Sequence, residues 1–142
     1  MTAPTVIFLA EDNSADVFLI REALSQRGSA YELIVAEDGA RVTNILERLG
    51  HDLPLPRIVL MDLNLPKVDG SDLLQKIRSH PATAKLPVIV ITSSRSPRDR
   101  ALAEQYNAHY FHKPFELAEF LNLGEVVWQL VDQPATAVEN SQ

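Results

Sequence analysis

Glu11-Asp12, Asp62 and Thr92 each come at the end of a short apolar run, at residues 5–10, 58–61 and 87–91, and Lys113 follows a further strand candidate at 108–112. Runs this short and this continuously apolar suit strands buried on both faces of a parallel sheet. Ligands of such sheets bind beyond the carboxyl ends of the strands, so all four ends would open on one crevice. Three carboxylates brought together there repel each other and resist full ionisation. A hard divalent cation relieves this. Mg²⁺ prefers oxygen ligands, takes one or two carboxylates with waters, and commonly carries a phosphoryl group. A carboxylate such as Asp62 can attack phosphorus to form an acyl phosphate. Phosphoryl transfer then needs mainly positioning and neutralisation of the equatorial oxygens, to which the Thr92 hydroxyl and the Lys113 ammonium are suited. Each residue alone has a plainer explanation, as an acid before a helix cap, a turn residue or a solvated edge-strand lysine. Those explanations do not account for their joint placement at four strand ends.

The elements that must position these groups alternate along the chain. Asn13-Ser14 offers an N-cap, and residues 15–27 place Val17, Ile20 and Leu24 on one helical face before Gly28 stops the helix. Residues 31–36 form another strand candidate. Asp38 caps a helix with the stripe Val42, Ile45, Leu46 and Leu49, ended by Gly50. After Asp62, the breakers Pro66 and Asp69-Gly70 lead to a short amphipathic helix over 71–79, with Leu73, Leu74 and Ile77, closed by Pro81. Ser96-Pro97-Arg98-Asp99 combines an N-cap, proline at the first helical position and an acid three residues on. The helix it starts has a sparse apolar face, Leu102 and Tyr106, and should be less firmly held than the others. Leu117, Phe120, Leu121, Val127, Trp128 and Val131 mark one closing helix despite Gly124, and from Asp132 the sequence reads as a polar, disordered tail. Five strand–helix units with short loops and right-handed crossovers imply an α/β parallel sheet with helices on both faces.

Composition narrows the function classes. A length of 142 residues suits one domain with a full core. Thirteen basic against 19 acidic residues give a net charge of −6 without a basic cluster, which argues against direct nucleic-acid contact. With no cysteine there are no disulfides or thiolate metal sites, in keeping with a reducing compartment. No apolar run reaches the length of a membrane span, and the first basic residue is Arg21, too late for a secretory signal. The expectation is a cytoplasmic protein without membrane attachment. Fewer than thirty residues follow Phe115, too few for an output domain. His51, His80, His109 and His112 read as surface or strand positions rather than ligands.

The motifs Leu9-Ala10-Glu11-Asp12, Met61-Asp62-Leu63-Asn64-Leu65-Pro66-Lys67-Val68-Asp69-Gly70, Pro87-Val88-Ile89-Val90-Ile91-Thr92-Ser93 and Tyr110-Phe111-His112-Lys113-Pro114-Phe115 resemble a response-regulator receiver domain of the chemotaxis-regulator type. The resemblance covers residues 5–131. It implies a flavodoxin-like (βα)5 doubly wound sheet of strand order 2-1-3-4-5, forming a single receiver domain over 1–131 with residues 132–142 as the tail. It implies Asp62 as phosphoacceptor, Mg²⁺ held by Glu11, Asp12, Asp62 and the Asn64 backbone carbonyl, Thr92 as switch hydroxyl, and Lys113 as the cation on the phosphoryl group. Tyr110 becomes the aromatic whose rotamer follows Thr92, and a cis Lys113–Pro114 peptide is implied. Glu11 departs from the family, where many members have Asp, and its longer arm suggests a water-mediated metal contact. Ser94 and Asn64 flank the expected water path and would tune hydrolysis. The implied activity is a two-component phosphorelay switch fed by a sensor histidine kinase. It would not be an enzyme beyond self-directed phosphotransfer and autodephosphorylation. Asp62–Gly70, Thr92-Ser93-Ser94 and the helix with Trp128 also resemble stand-alone regulators paired with phytochrome-type kinases, which often form homodimers through the last strand and helix.

Three rivals share parts of this chemistry. Phosphohydrolases of the haloacid-dehalogenase type also phosphorylate a strand-end Asp, but want an acid two residues later, where this chain has Asn64. A flavodoxin-like cofactor binder wants a Ser-, Thr- and Gly-rich loop after the first strand; here that loop is acidic and repels phosphate. A receiver-like interaction module without phosphorylation has no need of the full set Glu11, Asp12, Asp62, Thr92 and Lys113.

Overall fold

A computed structural model of the chain describes residues 3–133. Five strands, β1 (Thr5–Ala10), β2 (Tyr31–Ala36), β3 (Ile58–Asp62), β4 (Val88–Thr92) and β5 (His109–His112), form one sheet in the order β2-β1-β3-β4-β5. Every pairing is parallel. The helices are α1 (Ser14–Ser25), α2 (Gly39–Arg48), α3 (Gly70–Ser79), α4 (Pro97–Gln105), α5 (Leu117–Phe120) and α6 (Asn122–Asp132). The expected flavodoxin-like, doubly wound α/β architecture and strand order are therefore present.

The period-two alternation of the strands divides the core in two. Ile7, Leu9, Ile58, Leu60, Ile89 and Ile91 face α1 and α6, meeting Ile20, Leu24, Val127 and Trp128. Phe8, Ala10, Val59, Met61, Val88 and Val90 face the opposite layer, meeting Val42, Ile45, Leu73, Leu74 and Ala103 from α2, α3 and α4. Both faces of β3 and β4 are buried along their length, which explains their continuous apolarity. Asn13 caps α1 by accepting from the backbone N–H groups of Ala15 and Asp16, and Asp38 caps α2 through Arg41. Only Ala103 of α4 is fully buried, so that helix has the thin apolar anchorage its sequence foretells.

Several details differ from the sequence expectations. The closing helix is two segments. Leu121 keeps helical dihedrals, but Gly124 N–H bonds back to Leu121 O at 3.1 Å in a tightened turn, and α6 starts afresh at Asn122. A Cβ at Gly124 would overlap the Ala23 carbonyl, so this glycine permits the close approach of α6 to α1. Asp132 is the last residue of α6 and not the start of a tail; residues 134–142, the rest of the expected tail, lie outside those described. The Lys113–Pro114 bond is trans, and no cis peptide occurs among the described residues. Pairing of Lys113 N–H with Thr92 O at 2.8 Å aims the lysine into the crevice with the trans bond in place. Arg78, unremarkable in the sequence, donates to the carbonyls of Tyr106, Ala84, Leu86 and Asn107. It ties the end of α3 to the turns after α3 and α4.

Candidate functional site

Strand register brings the sequence-derived residues together. Asp62 pairs across to Ile91 and Thr92 to His112, so β3, β4 and β5 end side by side. The ladders continue one residue past the strands, with Glu11 N–H on Ala36 O at 2.9 Å and Lys113 N–H on Thr92 O at 2.8 Å. Backbone pairing, not loop conformation, thus sets where these side chains start.

Lys113 is the hub. Its Nζ lies 2.7 Å from Asp62 Oδ2, 3.0 Å from Glu11 Oε1 and 2.6 Å from Asp16 Oδ2. Glu11 and Asp62 are buried, while Asp12 is exposed at the mouth. One carboxylate oxygen each from Glu11, Asp12 and Asp62 lies within 4.8 Å of the others, a spacing at which one cation could touch all three. Three carboxylates contact the single ammonium and a fourth, Asp12, stands beside two of them, so full ionisation would leave negative charge uncompensated. Burial, then the Asp62 charge, push the Glu11 carboxyl up to about 7, against the opposing pull of Lys113. Burial alone would favour neutral Lys113. The hydrogen bonds to Asp16 and Asp62 and the charges of Asp62 and Glu11 outweigh it and raise the ammonium's pKa. The crevice is therefore short of positive charge, and its donor set is all oxygen. Both features fit a hard divalent cation.

The switch candidates occupy the β4 side of the crevice. Thr92 is fully buried. Its Oγ1 accepts from Ser94 N–H at 3.0 Å and from Asn64 Nδ2 at 3.5 Å, and donates to Asp99 Oδ2 at 3.3 Å. Asp99 thus serves Thr92 and not the cap, a correction to the expected capping box; Ser96 N–H bonds to Ser94 Oγ instead. Asn64 N–H bonds to Asp62 Oδ1 at 2.7 Å, fixing the turn to which the Asn64 carbonyl belongs. Tyr110 is half-buried, with its hydroxyl donating to Ser94 O at 2.8 Å and the Arg100 guanidinium 4.5 Å from its ring centre. Tyr110 and Thr92 therefore hold the same β4–α4 loop from two sides.

Two residues of this network escaped the sequence reading. Asp16 lies four residues past Asp12, in the first turn of α1, and its carboxylate reaches Lys113 Nζ. Asp99 has the spacing of a capping acid, which conceals its bond to Thr92. None of His51, His80, His109 and His112 joins the carboxylate cluster. His112 faces Ser93 O, outside the cluster, at 3.2 Å.

Residues 7–124 match the family described as response regulator receiver domain. Among curated proteins, the chain is 39% identical over 98 residues to response regulator Rcp1 of Synechocystis sp., covering 68% of this chain and 67% of that one. Its structure is similar to that of the phosphorylated cyanobacterial phytochrome response regulator RcpA, with a TM-score of 0.83 and 30% identity, covering 94% of this chain and 98% of that one. It is also similar to the receiver domain of sensor histidine kinase PA1611 from Pseudomonas aeruginosa PAO1, solved with a magnesium ion in its active-site cleft. That TM-score is 0.72 at 27% identity, covering 92% of this chain and all of that one. No described helix is long and apolar enough to cross a membrane. The chain belongs to the response regulator receiver domain family, whose members accept phosphoryl groups from histidine kinases, use a divalent metal and act as switches in two-component signalling.

Proposed function

We propose that Asp62 is the phosphoacceptor of a receiver domain spanning residues 1–131, and that Mg²⁺ is the metal, held by Glu11, Asp12, Asp62 and the Asn64 backbone carbonyl. One observation carries the reading: the Lys113 ammonium stands 2.7 Å from Asp62 Oδ2 beside three carboxylate oxygens within 4.8 Å of one another. When bound, the metal neutralises charge on the carboxylates and on the phosphoryl oxygens. The Asp62 carboxylate oxygen attacks phosphorus of a phosphohistidine on the sensor kinase. The P–N bond breaks, the electron pair leaves with the imidazole, and a P–O bond makes the acyl phosphate. Lys113 stabilises the phosphoryl oxygens. Hydrolysis of the acyl phosphate by water, flanked by Asn64 and Ser94, resets the switch without turnover of a separate substrate.

The response follows from a proton count. A hydroxyl donates one hydrogen, and Thr92 now donates its own to Asp99 of α4. A phosphoryl group on Asp62 adds charge and strong acceptors. Thr92 turning to it must release Asp99, and the Ser94 loop that Tyr110 holds then shifts with α4. Because α4 is thinly anchored, the final helix–strand–helix face carries the readout. We further propose a homodimer through β5 and the last helix, a phytochrome-type histidine kinase as phosphodonor, and a cytoplasmic location without nucleic-acid contact. The likeness to the phytochrome response regulator RcpA supports the phosphodonor reading, and the net charge of −6 supports the absence of nucleic-acid contact. Incubation with acetyl phosphate and Mg²⁺ tests the core of the proposal by intact mass: one acid-labile phosphoryl group is expected, absent in Asp62→Asn. Labelling that survives this substitution would overturn the acceptor assignment.

A further inference from the structure

Lys113 has three N–H donors and no acceptor, and the distances to Glu11, Asp16 and Asp62 use all three. These partners differ in what else they can bind. Glu11 and Asp62 belong, with Asp12, to the cluster whose oxygens could share a cation. Asp16 lies outside that cluster, on α1, and Lys113 is the only side chain among the described residues that donates to it. It is also the shortest contact, at 2.6 Å, and the most solvated, with 22% of its side chain exposed against 1% for Glu11 and 7% for Asp62.

Once Glu11 and Asp62 each share their oxygens with a divalent cation, their charge is divided between two cations and the new positive neighbour repels Lys113, so both contacts weaken. Asp16, outside the cluster, is the partner whose hold on the ammonium is undivided. We infer that Asp16 is a positioning residue for the phosphorylation of Asp62, keeping Lys113 beside the reacting carboxylate while Glu11 and Asp62 serve the metal. This rests on the reading of Asp62 as phosphoacceptor. The cation that meets the phosphoryl oxygens is thereby tethered to α1 as well as to β5, although the two are 97 residues apart in sequence.

The test compares phosphorylation rates with acetyl phosphate and Mg²⁺ for the wild-type protein, Asp16→Asn, Asp16→Glu, Lys113→Ala and Asp16→Asn/Lys113→Ala, with thermal unfolding as the folding control. Asp16→Asn is expected to slow phosphorylation about tenfold, the value of one charge-assisted hydrogen bond. Asp16→Glu, which keeps the charge, should recover most of that loss. In the Lys113→Ala background, Asp16→Asn should cause no further loss. A second readout is the ¹⁵N resonance of the Lys113 ammonium in lysine-labelled protein: Mg²⁺ should leave it protected in the wild type and exchange-broadened in Asp16→Asn. An equal loss in both backgrounds, no loss in either, or a resonance indifferent to Asp16 would overturn the inference. A wild-type protein that takes no phosphoryl group would instead overturn the Asp62 reading, so the two failures are distinguishable.

Discussion

Glu11 is buried beside Asp62, with its carboxyl pushed up to about 7 from an ordinary 4.5, so metal-free stability should depend on pH in a specific direction. Between those values the folded protein keeps a proton that the unfolded chain has released. A raised folded pKa contributes stability that is present below the unfolded value and lost as pH rises through the folded one. Ionising this carboxyl should therefore remove on the order of 3 kcal/mol from the metal-free protein between pH 4.5 and 7. Urea unfolding at pH 5 and pH 8, in chelator, measures it as a fall in midpoint beyond that of Glu11→Gln, which cannot ionise. Mg²⁺ should restore the wild type at pH 8, because it binds the ionised form. Its affinity should fall by up to about tenfold per pH unit below 7 as the ligand proton competes. Equal pH dependence in the wild type and Glu11→Gln would refute the claim that this carboxyl carries the charge burden of the crevice.

Asp99→Ala removes the competing acceptor of the Thr92 hydroxyl, so affinity for beryllofluoride, a phosphoryl mimic, should rise about tenfold, and Thr92→Ala should erase the gain; unchanged affinity would contradict the proton-sharing switch. Gly124→Ala forces a methyl into the Ala23 carbonyl, and the overpacking should lower stability by about 2–3 kcal/mol at an unchanged urea m-value. Unaltered stability would mean that α1 and α6 do not approach so closely. Gel filtration with and without beryllofluoride should show a dimer favoured by the mimic, and a monomer under both conditions would remove the proposed interface.

The sheet and the grouping of its strand-end residues were legible because two strong signals coincide. The continuous apolarity of β3 and β4 marks strands buried on both sides, and the polar residue that ends each run falls at the mouth of a parallel sheet. Glu11, Asp12, Asp62 and Lys113 can be grouped from the sequence on that basis. Asp16 could not, because periodicity places a helix but not the direction of its first turn against a neighbouring strand. Asp99 was misassigned for a related reason: an acid three residues after a serine cap satisfies a local rule, while its bond to Thr92 depends on tertiary placement. The split between α5 and α6 left no apolar signature, since the stripe runs on through Leu121. Gly124 looked like a weak helical position; only the packed backbone of Ala23 shows why a side chain has no room there.

The central claim is that one carboxylate, Asp62, holds phosphate covalently. Treatment of the acetyl phosphate-modified protein with borohydride reduces an aspartyl phosphate to homoserine, which peptide mass mapping locates. Homoserine at position 62 alone, dependent on Mg²⁺, is the predicted result. Homoserine at another aspartate, or phosphate carried on a serine, threonine or histidine with position 62 intact, would contradict the account.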